Sequence, residues 1–429
     1  MSFEPSRRLG FGEKYCALLH EQKLGTATIC VAVRVRRKLD FGAFRRAWET
    51  LFARQPMLRA TLRTSGDDYE LGFDARFADI SLRFVQAASS AVWEREFSQD
   101  ISAPLDLQRA CWRASLVEVA VAPAAVESYI TFSALHSIAD AKSVSWLLGD
   151  LLRIVRGLER GQDVGTSSHS RVASLDDLLD RTRFAAPTPP SRDPAAPLAF
   201  QAPTALGDAR CQDLFRITSA DLVPRLHAQA KKHGVTLTHA IMAAFARELC
   251  VANGRSSMPF DLMTAIDFRS YTRPAAPRDL LAFYANKAMI QLNPDLDREF
   301  WQLAGEAKAA VGRALEQFQL PPATPRLFAH LLGVKDACLA AQRFFCSYVL
   351  SNVGIIDEAF SGLEGDWFPD GFYFTVSNQA SLFGLSLFVA TLGGKLFINY
   401  NFPSPALARP WVEALAERML ATLERAATG

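Results

Sequence analysis

The stretch Tyr129–Leu152, "YITFSALHSIADAKSVSWLLGDLL", decides how this chain is read. An apolar run with strand character stops at His136, Asp140 follows four residues later, and an amphipathic helix begins at once. In that helix Val144, Leu147, Leu148, Leu151, Val155 and Leu158 form one stripe, and Arg156, Arg160 and Gly161 mark its end. A histidine at such a junction has two readings. It is either a base carried to a cavity rim by the end of a strand, or an ordinary polar residue that pairs with Asp140 near a helix start. The H-x-x-x-D spacing alone is a weak signal: roughly a third of chains with this composition hold one by chance. Here it occurs once.

Working outward, "TATICVAVRVRRKLD" alternates Ile29, Val31, Val33 and Val35 with Cys30, Ala32, Arg34 and Arg36, the period of a half-buried strand. Phe44, Trp48, Leu51 and Phe52 then mark one face of a helix that Pro56 stops. "CWRASLVEVAV" and "SYITFSAL" read as strands. From Gly161 to about Thr204 the composition shifts to Ser, Asp and Pro, with six prolines between Pro187 and Pro203, which predicts a surface-running linker. The chain is thus expected to divide into a first lobe over 1–160, a linker over 161–210 and a second lobe over 211–429.

The second half opens with the strand "CQDLFRITS" and a helix that Ser219 is expected to cap and Gly234 to end. A helix with Ile241, Phe245 and Leu249 in register follows, then the strands "FDLMTAIDFRS" and "NKAMIQLN". A helix over Phe300–Phe318 and the strand "RFFCSYVLSNVGI" come next. "LSLFVATLGGKLFINYNF" is a hairpin turning at Gly393-Gly394, and a last helix carries Trp411, Leu415 and Met419 on one side. Strands and helices mix in both halves, so the fold class is α/β or α+β, with mixed sheets.

Composition bounds the function. The 429 residues are 49% hydrophobic and 21% charged, the balance of a globular protein longer than a single small core. A formal charge of +2 gives no reason to expect nucleic acid as a partner. The seven cysteines are scattered with no C-x-x-C pair, so neither a zinc site nor a disulfide framework is indicated, and no metal is expected. No run of 18 apolar residues appears and the first residues lack a signal-peptide core, so a cytoplasmic location is expected. Walker, Rossmann and G-x-S-x-G patterns are missing. His227 and His233 stand six apart, wrong for a metal pair on one helix face.

That leaves His136, and around it the sequence resembles the condensation-domain superfamily. These are two-lobed proteins of the chloramphenicol acetyltransferase type, and the nearest likeness is to the phthiocerol/phthiodiolone dimycocerosyl transferase group. The family motif His-His-x-x-x-Asp-Gly is matched by "LHSIADA", with Leu135 in place of the first histidine and Ala141 in place of the glycine. Further segments follow in family order: "RRLGFGEKY", "FRRAWETLFARQPMLRATL", "KKHGVTLTHAIMAAFA", "TAIDFRSYTRP" with "LLAFYANKAMIQL", and "YVLSNVG".

The resemblance implies two lobes forming a V around a tunnel, with His136 as the catalytic base. It implies Asp140 facing away from the cavity and paired with Arg269 as a structural salt bridge, and Ser351 and Asn352 near the oxyanion or acceptor. The implied activity is transfer of an acyl group from a carrier-protein or coenzyme A thioester to a hydroxyl in natural-product or lipid biosynthesis. No cofactor would be permanently bound; the acyl thioester is a co-substrate and the acceptor a small molecule. The alternatives are an amide-forming condensation enzyme and an inactive, carrier-binding platform. The basic run Arg34, Arg36, Arg37 and Lys38, with Arg45 and Arg46, is either a solvated face or a docking site for an acidic carrier or the coenzyme phosphates.

Overall fold

The computed structural model describes residues 6–65, 68–122, 125–163, 165, 168–169, 172–184, 195, 198–205 and 207–428. A short strand β1 (Ser6–Arg8) leads into helix α1 (Phe11–Gln22), where the Glu13 carboxylate accepts from the Gly10 N–H and holds Arg7 at 2.6 Å. Strand β2 (Thr28–Val35) precedes helix α2 (Phe41–Arg54), which is capped by Asp40 accepting from the Ala43 N–H and ends before Pro56. Strands β3 (Thr61–Ser65) and β4 (Asp68–Gly72) join β1 in a small sheet. Strand β5 (Ser81–Ala87), helix α3 (Ser90–Ser102), strands β6 (Trp112–Ala122) and β7 (Ala125–Leu135), and helix α4 (Ala141–Glu159) complete the first half.

The apolar stripes of α2 and α4 both face inward: Phe44, Trp48, Val144, Leu147 and Leu151 share one core with Ile29, Val31 and Val33. Strand β2 departs from the half-buried expectation. Its opposite face is also covered, because Cys30 and Ala32 pack under Trp93 and Phe97 of α3. Small residues alternating with β-branched ones let the second layer approach closely, a pattern that period-2 hydrophobicity does not distinguish from solvent exposure.

Between the halves lies helix α5 (Leu175–Leu178). The Phe11 N–H donates to Asp176 at 3.0 Å and the Tyr284 hydroxyl donates to the Ala173 carbonyl at 3.0 Å, so residues 173–176 touch both halves. Pro187, Pro189, Pro190, Pro194 and Pro197 of the expected linker lie outside the described residues.

The second half runs through strand β8 (Arg210–Ile217), helices α6 (Leu222–Lys232) and α7 (Leu237–Ala252), and strands β9 (Phe260–Asp267) and β10 (Ala285–Leu292). Helices α8 (Phe300–Glu316) and α9 (Pro325–Ala340) follow, then strands β11 (Cys346–Ile355), β12 (Gly371–Val376), β13 (Phe383–Leu392) and β14 (Lys395–Ser404), and helix α10 (Arg409–Thr428). The six-stranded sheet has the order β10-β9-β11-β13-β14-β8, with β11 parallel to both neighbours. Gly393 and Gly394 turn the β13–β14 hairpin with φ of +54° and +75°, the pair of positive values that a two-residue type I′ turn requires.

Ser219 does not cap α6. Thr218 is tied to the hairpin, its N–H donating to Leu396 O and its Oγ1 accepting from Leu396 N, both at 3.0 Å, so the helix starts only after Asp221.

One strand crosses over. β12 pairs antiparallel with β2 and extends the first sheet to the order β12-β2-β7-β6-β5. The division at 161–210 thus separates every strand of that sheet but one from the second half. No single helix among the described residues is long and apolar enough to cross a membrane.

Candidate functional site

His136 is the first residue after β7, and the five-residue loop to α4 is pinned from three directions. The His136 N–H donates to Ala27 O at 3.0 Å, the Ser137 hydroxyl to Glu13 O at 2.5 Å, and the Asp140 N–H to Ala282 O at 3.2 Å. The turn before β2, α1 and the segment before β10 thereby fix where the imidazole sits. Its Nδ1 lies 2.7 Å from the Ala139 carbonyl, which only accepts, so Nδ1 carries the proton and Nε2 the lone pair. Phe283 meets the ring edge-on at 5.0 Å. Burial lowers the imidazole pKa below its ordinary value, against opposing pulls from the Ala139 carbonyl and Asp140.

Asp140 caps α4 by accepting from the Ser143 N–H at 2.8 Å, and its second oxygen accepts from the Tyr284 N–H at 2.9 Å. Arg269, in the turn after β9, reaches both oxygens at 3.0 Å. Arg269 also holds Asp267 at 3.0 Å, and Asp267 holds Lys142 at 2.8 Å. The side chains of Asp140 and Arg269 are only 4% and 9% exposed. All these donors and acceptors belong to a network joining α4 to β9, the turn after it and the residue before β10.

His136 faces a cavity of about 200 Å³ walled by both sheets. Ile29 and Phe374 come from the first, and Met263, Val349 and Phe388 from the second. Ser351 and Asn352 line it from β11. The Asn352 amide is committed, donating to Thr238 Oγ1 at 3.0 Å and accepting from the Gly354 N–H at 2.9 Å, whereas the Ser351 hydroxyl has no partner among the described residues. His136, Asp140, Arg269, Ser351 and Asn352 therefore come together around one cavity.

The basic run lies elsewhere, on a seam between β2 and residues 366–370. Arg34 bonds Asp370 at 2.7 Å, Arg36 also pairs with Asp370, and Lys38 lies 3.9 Å from Glu118. Arg37 bonds Glu159 at 2.8 Å and stacks on Trp367 at 3.7 Å. Each of the four thus has an acidic partner within the chain, and acids distant in sequence offset the charge that the linear run suggested.

Tyr15 and Lys287 are among the cavity residues that the sequence reading did not single out. Tyr15 enters from α1, and Lys287, half-buried on β10, places its ammonium 3.2 Å from the centre of the Tyr15 ring. Burial brings Lys287 down to about 7, with Lys335 pushing it the same way and Cys16 and Cys346 opposing. A signal existed: "NKAMIQL" is a β run with a cation on the same face as Phe283 and Ala285.

No family model matches the chain, and no curated protein does. Solved structures do. The first condensation domain of the CDA synthetase superposes with a TM-score of 0.71 at 14% identity, over 99% of this chain and 97% of that one. The polyketide synthase associated protein 5 from Mycobacterium tuberculosis gives 0.65 at 16% identity, covering 98% of each. A trichothecene 15-O-acetyltransferase from Fusarium sporotrichioides gives 0.68 at 14% identity, over 97% of this chain and 95% of that one. The fold is therefore the mixed α/β, two-lobed fold of condensation domains and chloramphenicol acetyltransferase-like proteins.

Proposed function

We propose that the protein transfers an acyl group from a thioester to a hydroxyl acceptor, with His136 as general base. The observation that carries this is the Nδ1–Ala139 hydrogen bond, which fixes one tautomer and leaves the Nε2 lone pair available in a cavity walled by both sheets. A thioester is already activated, so the chemistry needs a base for the acceptor and a donor for the developing oxyanion. Nε2 takes the acceptor proton as the oxygen attacks the carbonyl, and the unpartnered Ser351 hydroxyl is suited to donate to the oxyanion or the acceptor. Asp140 and Arg269 position the loop and take no part in the proton transfer.

Among proteins of similar fold are an O-acetyltransferase, a condensation domain and a polyketide-synthase-associated protein, which supports acyl transfer in natural-product biosynthesis. The donor is a carrier-protein or coenzyme A thioester, entering from one side of the cavity while the acceptor enters from the other. Of the candidate docking cations, Arg36 and Lys38 are 67% and 65% exposed, and Arg45 and Arg46 on α2 are exposed as well.

The test is a transfer assay on acyl-pantetheine, acyl-coenzyme A and acyl-carrier donors with alcohol and amine acceptors. Wild-type protein is expected to form esters. His136→Ala is expected to lose roughly 10²–10⁴-fold in turnover with an unchanged melting temperature. Transfer by the variant at the wild-type rate removes His136 from the mechanism. Transfer only to amines makes the protein a condensation enzyme, and carrier binding without transfer makes it a platform.

A further inference from the structure

The charges that line the cavity do not balance. Asp140 is held by Arg269, and Asp267 by Arg269 and Lys142. Lys287 is the remaining charged group on the wall, and it has no acidic partner among the described residues. Its neighbours offer none. Tyr15 and Cys16 face it from α1, Cys346 from the start of β11 and His136 from the β7–α4 loop. Burial pushes both thiols up, to about 12 and about 11, and pushes the Tyr15 hydroxyl up as well, so none of these is an anion near neutral pH.

A second cation sharpens the corner. Lys335, fully buried on α9, lies 4.8 Å from the same Tyr15 ring, with its ammonium donating to Leu331 O at 3.2 Å. Two lysines thus contact one aromatic ring, and neither forms a salt bridge with a carboxylate among the described residues. The nearby acid, Asp336, is taken by Lys23.

We propose that Lys287 is a specificity-determining residue that recognises a substrate carboxylate: the α1–β10 side of the cavity takes a monoanionic group, which pairs with the Lys287 ammonium over Tyr15. A methionine of similar shape would fill the same space without the cost of burying a charge, so packing does not account for a lysine here. A single ammonium in an otherwise apolar corner matches a carboxylate. A phosphate dianion needs several convergent donors. Ligand binding also restores protonation to an amine that burial has brought to about 7. The bound anion screens Lys287 from His136, whose imidazole the Lys287 charge pushes down. This rests on the acyl-transfer reading only for the kind of molecule that carries the carboxylate.

Titration calorimetry on the intact protein tests it with two matched pairs: adipoyl-pantetheine against its methyl ester, and 6-hydroxyhexanoate against its methyl ester. The first pair places the carboxylate on the donor and the second on the acceptor. For the pair that uses the site, Lys287→Met is expected to weaken the acid roughly tenfold to a hundredfold while leaving the ester within about twofold, and Lys287→Arg is expected to recover most of the loss. Binding of the acid at pH 8 should take up a proton in the wild type, seen as a buffer-dependent enthalpy, and not in Lys287→Met. Melting of Lys287→Met at or above the wild-type temperature shows that the loss is not unfolding. Equal loss for acid and ester, or no preference for either acid in the wild type, overturns the proposal. Discrimination by binding in a protein that transfers no acyl group leaves this site standing and removes the proposed activity.

Discussion

Asp140 and Arg269, 129 residues apart in sequence, meet as a two-point ion pair at 3.0 Å that ties the start of α4 to the turn after β9. Two backbone N–H groups complete the carboxylate, so its charge is satisfied four times inside the protein. Removing one partner leaves the other buried and uncompensated, which costs roughly 3–5 kcal/mol. Asp140→Asn and Arg269→Ala are each expected to destabilise strongly, and the double variant far less than the sum. Urea unfolding of the four proteins in the cycle measures this; additive losses show that the pair acts as two independent contacts.

The direction of the His136 shift sets a pH profile. Burial disfavours the imidazolium, so the neutral base persists to lower pH than in an ordinary histidine. With an uncharged donor and acceptor, the acid-side fall in kcat/KM, as Nε2 takes a proton, is expected at lower pH than an ordinary histidine would give, whatever the protonation of Lys287 adds near neutral pH. A pH–rate series checks it, and a half-maximum above pH 7 contradicts the assigned base.

His20 gives stability its own acid limb. The Leu105 N–H donates to Nε2 at 3.2 Å, so Nδ1 carries the proton facing Thr28 Oγ1 at 3.2 Å, and a second proton has no acceptor. Burial lowers His20 from 6.5 to about 4. The unfolded chain therefore binds the proton first. The contribution is complete above pH 6.5, declines as pH falls, and is gone below about 4, amounting to about 3 kcal/mol at most. Denaturation at pH 7 and pH 4.5 should show a smaller acid loss for His20→Gln than for the wild type.

Gly149 lets α4 touch a backbone. A methyl group there would meet the Ala359 carbonyl oxygen at 1.9 Å, so Gly149→Ala must separate α4 from residues 357–360. Overpacking of this kind costs roughly 1–3 kcal/mol. Thermal melts are expected to show the loss even though alanine favours helix; a rise in melting temperature means that the contact yields without strain.

Local pattern is enough to assign which helix faces are buried. The α2 and α4 stripes, the inward side of β2 and the Gly393-Gly394 turn are local patterns, and local sterics and burial decide them. It also put His136 where a buried strand ends and a helix starts. The pairing of Asp140 with Arg269 entered only through resemblance, because nothing in either residue's own neighbourhood names the other. Tertiary structure alone decided the second covered face of β2, the passage of the six-residue β12 into the first sheet, and the acids that engage Arg34, Arg36, Arg37 and Lys38. It alone placed Lys287 on the Tyr15 ring inside the cavity. Periodicity reports that a face is buried; which distant segment buries it, and whether a charge meets an opposite one there, depends on contacts that form only when both sheets are assembled.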